Sequence, residues 1–228
     1  MSVVGISRSA AEKALEELRP LCEELPQSVI DPISLEVFDK PMVTRCGHTF
    51  ERDSLIKMYD ANPKIDLMGR EIIHCPTCRA ELWLQGIYHD KSFRETIDHL
   101  KLINKIWLAS QNANNAIEYE TITPAEKTLA NITPLCKELP DSVIDPISLN
   151  PFFRPMVMRC GHTFNIKSLI EIYQSNPKVN HLGIPSIDCS ICKTESYLGN
   201  RYYDQSFEET IDHLKKIQEV FNKYVIPK

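Results

Sequence analysis

Apolar residues fall at helical spacing near the end of each half of the chain. The two stripes consist of Phe93, Ile97, Leu100, Ile103 and Trp107 in the first half, and of Phe207, Ile211, Leu214, Ile217 and Phe221 in the second. Because residues three and four apart share one face of a helix, each stripe predicts an amphipathic helix. We expect each apolar face to pack against a hairpin of its own half, with contact to a partner protein as the alternative.

Shorter elements precede each stripe. In the first half, residues 41–45 and 48–50 predict two short strands around Cys46-Gly47, and residues 53–59 predict a helix that ends before Pro63. Capping-box patterns predict helix starts at Ser9, Ser92 and Thr123. The helix that begins at Ser9 is expected to stop at Pro20.

The second half of the chain repeats the first without a gap. Adding 114 to a position in the first half gives its counterpart, so that residues 28–35 and 142–149 have the same sequence. About half of the aligned positions are identical, and a shared fold follows from this repeat. We predict an α+β protein of two tandem small domains, residues 9–108 and 123–224, joined by a polar linker at 109–122. Each domain is expected to hold a short β-hairpin, a central helix and flanking helices.

Each repeat carries four candidate metal ligands in two short clips. The first set is Cys46, His48, Cys75 and Cys78, and the second is Cys160, His162, Cys189 and Cys192. Three thiolates and one imidazole suit tetrahedral zinc with no vacant position for a substrate. The sequence therefore predicts two structural zinc ions per chain, one in each repeat.

Charge and composition narrow the function further. The formal net charge is −5 at pH 7, whereas nucleic-acid-binding surfaces normally show a basic excess, so binding to nucleic acid is not predicted. No segment is long and apolar enough to cross a membrane, and the first residues lack the pattern of a signal peptide. We expect a soluble cytoplasmic protein, and this compartment favours metal binding over disulfides for its eight cysteines.

The order of these motifs resembles the RING-finger and U-box superfamily of ubiquitin ligases. The similarity runs from Ile-Asp-Pro-Ile-Ser-Leu through Cys-Gly-His-Thr-Phe to Cys-Pro-Thr-Cys-Arg in the first repeat. A complete RING has two zinc sites, and the resemblance implies that only the second is kept here. The positions of the lost site hold Asp31, Ser34, Glu51 and Ser54 in the first repeat, and Asp145, Ser148, Asn165 and Ser168 in the second. Because serine hydroxyls are poor zinc ligands, we expect a hydrogen-bond network there, as in U-boxes.

The resemblance implies a ubiquitin ligase that acts without a covalent intermediate. Such a ligase binds a ubiquitin-charged conjugating enzyme and positions it for transfer to a substrate lysine. The apolar binding groove of the family corresponds to Ile33, Met58 and Pro76. Arg79 occupies the place of the cation that bridges the conjugating enzyme and ubiquitin, a role that suits a planar guanidinium.

The second repeat departs from the first at these positions. Ile147 and Ile172 keep an apolar groove, but Ser190 replaces the proline and Lys193 replaces the arginine. We expect the first repeat to recruit the conjugating enzyme, and the second to bind it more weakly or to bind substrate. The alternative is that both repeats recruit.

Other functions stay open from the sequence. The repeats could form a non-catalytic adaptor that binds proteins, and SUMO ligases keep the same half of the RING. Two such modules without further domains also suit a bacterial effector delivered into host cytosol.

Two further pairs of repeated residues are candidates for chemistry. Cys22 and Cys136 stand outside the clips. Reactive cysteines have cationic neighbours, whereas Cys22 is followed by two glutamates and Cys136 by Lys137-Glu138, so buried packing is expected rather than a thioester-forming nucleophile. His99 and His213 are expected to be packed or hydrogen-bonded, because each zinc set is complete without them.

Overall fold

The structure is a computed structural model that describes residues 8–113, 122–179, 183–199 and 201–225. The side chain of Ser9, on which the first predicted capping box depends, lies outside the described residues. Residues 114–121, which form most of the predicted linker, lie outside them as well.

The described chain contains six α-helices and twelve short strands. The helices are α1 (Arg8–Cys22), α2 (Arg52–Ala61), α3 (Lys91–Ala113), α4 (Pro124–Cys136), α5 (Ile166–Ser175) and α6 (Gln205–Tyr224). The strands of the first repeat are β1 (Pro41–Val43), β2 (Thr49–Glu51), β3 (Lys64–Ile65), β4 (Glu71–His74), β5 (Glu81–Trp83) and β6 (Tyr88–His89). Those of the second are β7 (Pro155–Val157), β8 (Thr163–Asn165), β9 (Lys178–Val179), β10 (Pro185–Asp188), β11 (Glu195–Tyr197) and β12 (Tyr202–Tyr203).

Each repeat folds its strands into two small antiparallel sheets. Their strand orders are β2-β1-β6 and β3-β4-β5 in the first repeat, and β12-β7-β8 and β11-β10-β9 in the second. The predicted hairpin is confirmed, with Met42 opposite Phe50 and, in the second repeat, Met156 opposite Phe164. The α+β class and the predicted central helix, now α2, are also confirmed.

The chain divides into two compact units, and each unit draws on both repeats. The helical unit contains Met1–Gln27, Thr96–Asp141 and Thr210–Lys228, and the hairpin unit contains Ser28–Glu95 and Ser142–Glu209. Contacts thus group the elements by type as well as by repeat. The division into sequential domains at 9–108 and 123–224 stays a prediction, and α3 extends into the predicted linker as far as Ala113.

The helical unit exchanges contacts between the repeats. His99 on α3 donates from Nε2 to the carbonyl oxygen of Leu135 at 2.9 Å, and His213 on α6 donates to that of Leu21 at 2.8 Å. The last helix of each repeat is therefore bonded to the first helix of the other. These bonds confirm the interpretation of both histidines as hydrogen-bonded residues.

The predicted end of the first helix is wrong. Helix α1 continues through Pro20 to Cys22, and α4 likewise contains Pro134. A proline costs a helix one hydrogen bond and crowds the preceding turn. Leu18 and Cys22 lie four residues apart on one face and are 0% and 2% exposed, so their burial stabilises the last turn.

The predicted environment of the long apolar stripe is only partly right. All five residues of the first stripe are buried, as expected of a core face. Phe93 contacts Phe38 and Phe207 in the hairpin unit, with ring centres 5.9 and 5.3 Å apart. From Ile97 onward, however, the stripe belongs to the helical unit. A helix of 23 residues is about 34 Å long, far longer than strands of three residues, so a hairpin cannot cover it.

The start of α3 also differs from the prediction. The residue that caps this helix is Asp90, whose Oδ1 accepts from the backbone N–H of Phe93 at 2.9 Å. Asp204 does the same for α6 through Phe207. Ser92 lies inside the helix, because a carboxylate two residues earlier already occupies the cap. The capping box at Thr123 is confirmed.

The hairpin unit has a core in each repeat and a third apolar cluster that joins them. One core gathers Phe50, Leu55, Ile73, Cys75 and Leu82, and the other gathers Met156, Met158, Phe164, Leu169, Ile187 and Cys189. The joining cluster consists of Val43, Tyr88, Val157 and Tyr202. In it the rings of Tyr88 and Tyr202 stack with centres 4.7 Å apart. The two repeats therefore share packed apolar surface.

Candidate functional site

The first ligand set lies beside the apolar core of the first repeat, which includes Cys75. Cys46 and His48 lie in the turn between β1 and β2, and Cys75 and Cys78 lie in the turn after β4. The Nδ1 atom of His48 is 3.4 Å from the Sγ of Cys46 and 3.6 Å from that of Cys75. Gly47 adopts a φ of 86°, which lets the turn bring its two neighbours to one side.

The second ligand set has the same arrangement. The Nδ1 atom of His162 is 3.5 Å from the Sγ atoms of both Cys160 and Cys189. The four ligand atoms of each set lie within 4.8 Å of one another, and Cys192 completes the second set as Cys78 completes the first.

These distances fit a tetrahedral ion. With bonds of about 2.3 Å to sulfur and about 2.0–2.1 Å to nitrogen, a tetrahedral zinc holds its sulfur and nitrogen ligands about 3.6 Å apart. The sulfur–nitrogen distances in both sets are close to this value. Each set could therefore hold a metal ion, and its soft thiolate donors match zinc.

The pKa values of the ligand thiols differ between buried and exposed cysteines. Burial raises the pKa of Cys75 to about 11 and that of Cys160 to about 12. Hydrogen bonding to Thr194 lowers the pKa of the exposed Cys192 to about 6. Since a metal binds the thiolate, the buried ligands lose their protons as the ion binds, and acid weakens binding.

A hydrogen-bond network occupies the position of the other RING zinc site, as predicted. The buried carboxylate of Asp31 accepts from the Ser54 hydroxyl at 2.6 Å and from the backbone N–H groups of Ser34 and Glu51 at 2.9 and 3.2 Å. Glu51 in turn accepts from two backbone N–H groups of the preceding loop at 2.8 Å. The carboxylate of Asp31 thus ties the first loop to the start of α2.

The second repeat builds the same network with one change. Asp145 accepts from the Ser168 hydroxyl at 2.5 Å and from the backbone N–H groups of Ser148 and Asn165 at 2.9 and 3.1 Å. Asn165, which replaces a glutamate, accepts from the backbone N–H of Phe153 at 2.6 Å. The neutral amide therefore preserves one of the acceptor roles of that glutamate.

Comparison with known families agrees with this geometry. Residues 32–76 and 146–181 each match the family model of the RING-type zinc-finger. The chain carries two RING/U-box-type domains. The matched segments contain Cys46, His48 and Cys75 of the first set, and Cys160 and His162 of the second. The structure adds Cys78, which lies beyond the first match, and Cys189 and Cys192, which lie beyond the second.

The residues predicted to bind a conjugating enzyme in the first RING/U-box domain differ in exposure. Ile33 is 37% exposed, and Pro76 and Arg79 are exposed. Met58 is half-buried against the core of its repeat. Arg79 has a φ of 63° and donates its backbone N–H to the carbonyl oxygen of Cys75 at 2.8 Å. Within the described residues, its guanidinium has no hydrogen bond or ion pair.

The equivalent residues of the second domain differ in burial and in hydrogen bonding. Ile147 and Ile172 are half-buried against the second core. Lys193 donates from Nζ to the carbonyl oxygen of Ser190 at 2.9 Å, so its charge is directed back onto its own clip.

The cysteines outside the clips are not poised for catalysis. Cys22 and Cys136 are 2% and 3% exposed. Burial raises the pKa of Cys22 to about 12 and raises that of Cys136 further, so both stay thiols at neutral pH. These residues are packed, as the sequence predicted.

The structure also exposes residues that the sequence argument did not single out. Leu35 and Leu149 are 75% and 76% exposed and have left-handed φ angles of 60° and 56°. Ile56 and Ile170 are partly exposed on α2 and α5. Both pairs are 114 residues apart, and this repetition is the signal that could have drawn attention to them. In each repeat they add apolar surface to the first loop and the central helix.

No helix in the described residues is long and apolar enough to cross a membrane.

Proposed function

We propose that this protein is a ubiquitin ligase that recruits a ubiquitin-charged conjugating enzyme mainly through its first domain. The difference between Arg79 and Lys193 is the observation that carries this proposal. The guanidinium of Arg79 is exposed and has no polar partner within the described residues, whereas Lys193 is bonded to its own clip. A free guanidinium can bridge acceptors on two other proteins with donors in a fixed geometry.

The apolar surface of the first domain supports the same assignment. Ile33 and Pro76 are exposed on the first loop and the last clip, and half-buried Met58 lies on α2, so all three elements expected to form the groove offer apolar atoms. If these three elements form the expected groove, their apolar atoms would make one contiguous surface, and such a patch marks a protein-binding site. Catalysis would then come from holding the conjugating enzyme and ubiquitin in a reactive arrangement, without a nucleophile from this chain.

We propose zinc as the ion at both ligand sets, with two ions per chain. Cys46, His48, Cys75 and Cys78 would hold one, and Cys160, His162, Cys189 and Cys192 the other. The ion supplies a rigid link between the β-hairpin and the clip. In the first domain this link fixes Pro76 and Arg79 relative to the hairpin, since both residues belong to or follow the clip.

Autoubiquitination in a purified reaction with a panel of conjugating enzymes tests the ligase function. We expect chain formation with at least one enzyme and a loss of at least tenfold in rate for Ile33→Ala and for Arg79→Gln. The matched variants of the second repeat, Ile147→Ala and Lys193→Gln, should lose much less. Failure of the wild-type protein with every enzyme would favour a non-catalytic adaptor, and activity with SUMO instead would indicate the related pathway.

Elemental analysis of the dialysed protein tests the metal assignment. We expect two zinc ions per chain, and one in either Cys46→Ser or Cys160→Ser. A zinc-free protein that remains folded would overturn it.

A further inference from the structure

A cleft in the hairpin unit gathers positive charge from both repeats. It has a volume of about 380 Å³, and its lining includes Arg45, Arg70, Trp83, Tyr88, Arg159 and Tyr202. Arg45 and Arg159 occupy equivalent positions, each directly before the first cysteine of its clip. None of the residues assigned above to the conjugating-enzyme groove lines this cleft. The cleft is therefore distinct from the proposed conjugating-enzyme groove.

The charge in the cleft is only partly neutralised by carboxylates. Among the described residues, no aspartate or glutamate lines it. Arg70 pairs with Asp66 through bonds of 2.5 and 2.6 Å. Arg45 and Arg159 are exposed, and neither forms an ion pair with a carboxylate in the part of the chain that the structure describes. In a chain with a net charge of −5, two unpaired guanidiniums in one concavity form a local site for an anion.

An aromatic side chain orients two of the arginines. The guanidinium carbon of Arg70 lies 4.0 Å from the ring centre of Trp83, and that of Arg45 lies 5.6 Å from it. A guanidinium that faces an aromatic ring is stabilised by the ring while the N–H groups along its edge stay available to an acceptor. Less conformational freedom is then lost when Arg45 binds a ligand.

Two phenol side chains line the same wall. The stacked rings of Tyr88 and Tyr202 line the cleft where the repeats meet. Burial is the main cause that raises the pKa of Tyr202 to about 12, and the neighbouring Tyr88 raises it as well. The Tyr202 hydroxyl thus keeps its proton at neutral pH, and a protonated hydroxyl can donate a hydrogen bond to an anion.

We propose that this cleft binds a soluble phosphate-bearing anion of small-molecule size. A single guanidinium fork already matches a carboxylate, whereas a phosphate group has several terminal oxygens and can accept from Arg45 and Arg159 together. The volume is near the lower end of the range for small-molecule sites, which suits a compact ligand. The site depends on both repeats and does not depend on the ligase function.

Calorimetric titration of the zinc-loaded full chain with pyrophosphate tests the proposal, with inorganic phosphate as the smaller probe. We expect saturable 1:1 binding of pyrophosphate in about 0.1 M salt, where surface charges are largely screened beyond about 10 Å. Arg45→Gln and Arg159→Gln should each weaken binding at least tenfold, and the double variant should abolish it. Arg52→Gln is the matched control, because Arg52 is an exposed arginine outside the cleft.

A steric variant separates the cleft from general loss of charge. A Cβ atom added at Gly199, which lines the cleft, would have no atom within 4 Å. Gly199→Tyr should therefore fold, keep both zinc ions and lose pyrophosphate binding. Binding that survives the double arginine variant, or an absence of saturable binding to the wild-type protein, would overturn the proposal. Binding to vesicles with phosphorylated inositol lipids that free pyrophosphate does not displace would overturn the assignment to a soluble anion.

Discussion

Replacement of Asp204 by asparagine should change how the stability of the hairpin unit depends on pH. Asp204 and its counterpart Asp90 are both fully buried, and each uses Oδ1 to cap its helix and to accept from a threonine of the other repeat. These threonines are Thr49 for Asp204, at 2.9 Å, and Thr163 for Asp90, at 3.0 Å. The Oδ2 atom of each aspartate has no hydrogen-bond partner among the residues that the structure describes. Once one of these two aspartates is ionised, a negative charge on the other is poorly compensated, because its Oδ2 atom receives no hydrogen bond.

The sign of the effect follows from proton binding. Burial raises the pKa of Asp204 from 3.8 to about 7, and burial together with repulsion by Asp204 raises that of Asp90 well above its usual value. Between pH 3.8 and about pH 7 the folded protein binds more protons than the unfolded chain, because Asp204 stays protonated only in the folded state. The free energy of unfolding therefore falls as the pH rises through this range. At about 1.4 kcal/mol for each pKa unit, the loss from Asp204 alone is on the order of 4 kcal/mol by pH 8. Asparagine keeps the Oδ1 acceptor without the charge, so the stability of Asp204→Asn relative to the wild-type protein should rise steadily from pH 5 to pH 7, by about 3 kcal/mol at about 1.4 kcal/mol for each pKa unit, and then level off.

Urea unfolding of the zinc-saturated protein from pH 5.5 to 8.5 measures this difference. Trp83 lies in the hairpin unit and Trp107 in the helical unit, so a Trp107→Phe background lets fluorescence report the hairpin unit alone. Zinc binding also depends on pH, but it affects wild type and variant alike and cancels in their difference. Asp60→Asn, at an exposed position, is the control and should follow the wild-type slope. Equal slopes for the wild-type protein and Asp204→Asn would refute the reasoning.

Three further predictions address the networks, the turns and the helical unit. Ser54→Ala removes a buried donor to Asp31 and should lower the free energy of unfolding by about 1–3 kcal/mol in urea titrations, with both zinc ions retained. Gly161→Ala should destabilise more than Gly47→Ala in thermal unfolding: both have left-handed φ angles, which cost an alanine about 1–2 kcal/mol, but the added Cβ would lie 2.6 Å from a backbone oxygen at Gly161 and 3.3 Å at Gly47. Burial lowers the pKa of His213, so its folded form prefers to be neutral, and the helical unit should lose stability as the pH falls through 6.5. His213→Gln, which can still donate to the carbonyl, should flatten this acid dependence, as measured by fluorescence of the tryptophan in that unit.

Local features of the fold were predictable because they depend on short stretches of sequence. The hairpin around Cys46-Gly47 and the helix after it follow from alternation, turn residues and helix signals within about twenty residues. The ligand sets follow from paired ligands at fixed spacing, which few other structures require. The carboxylate networks were predictable from the short polar residues that replace metal ligands.

The pairing between repeats could not be predicted in the same way. Both repeats have nearly the same apolar pattern, so the sequence does not say whether α3 bonds to the first helix of its own repeat or to that of the other. His99 and His213 settle this by bonding across. The Arg45 and Arg159 cleft depends on the same pairing, since neither repeat alone supplies both cations. The length of each helix stripe is a sequence feature that could have indicated more than a hairpin as its partner, since a helix of 23 residues is about 34 Å long.

Reciprocal contacts explain why the two repeats are better understood as one assembly than as two independent modules. The backbone N–H of Gln205 donates to the carbonyl oxygen of Gly47 at 3.3 Å, and that of Lys91 donates to Gly161 at 3.2 Å. Both glycines lie between the cysteine and the histidine of a clip, so the last helix of each repeat begins against the candidate metal centre of the other. Domains of about one hundred residues bury limited cores, and this exchange lets each repeat use the surface of its neighbour. The second repeat thus contributes contacts to the first, although its own clip has serine and lysine in place of the proline and arginine proposed to act in recruitment.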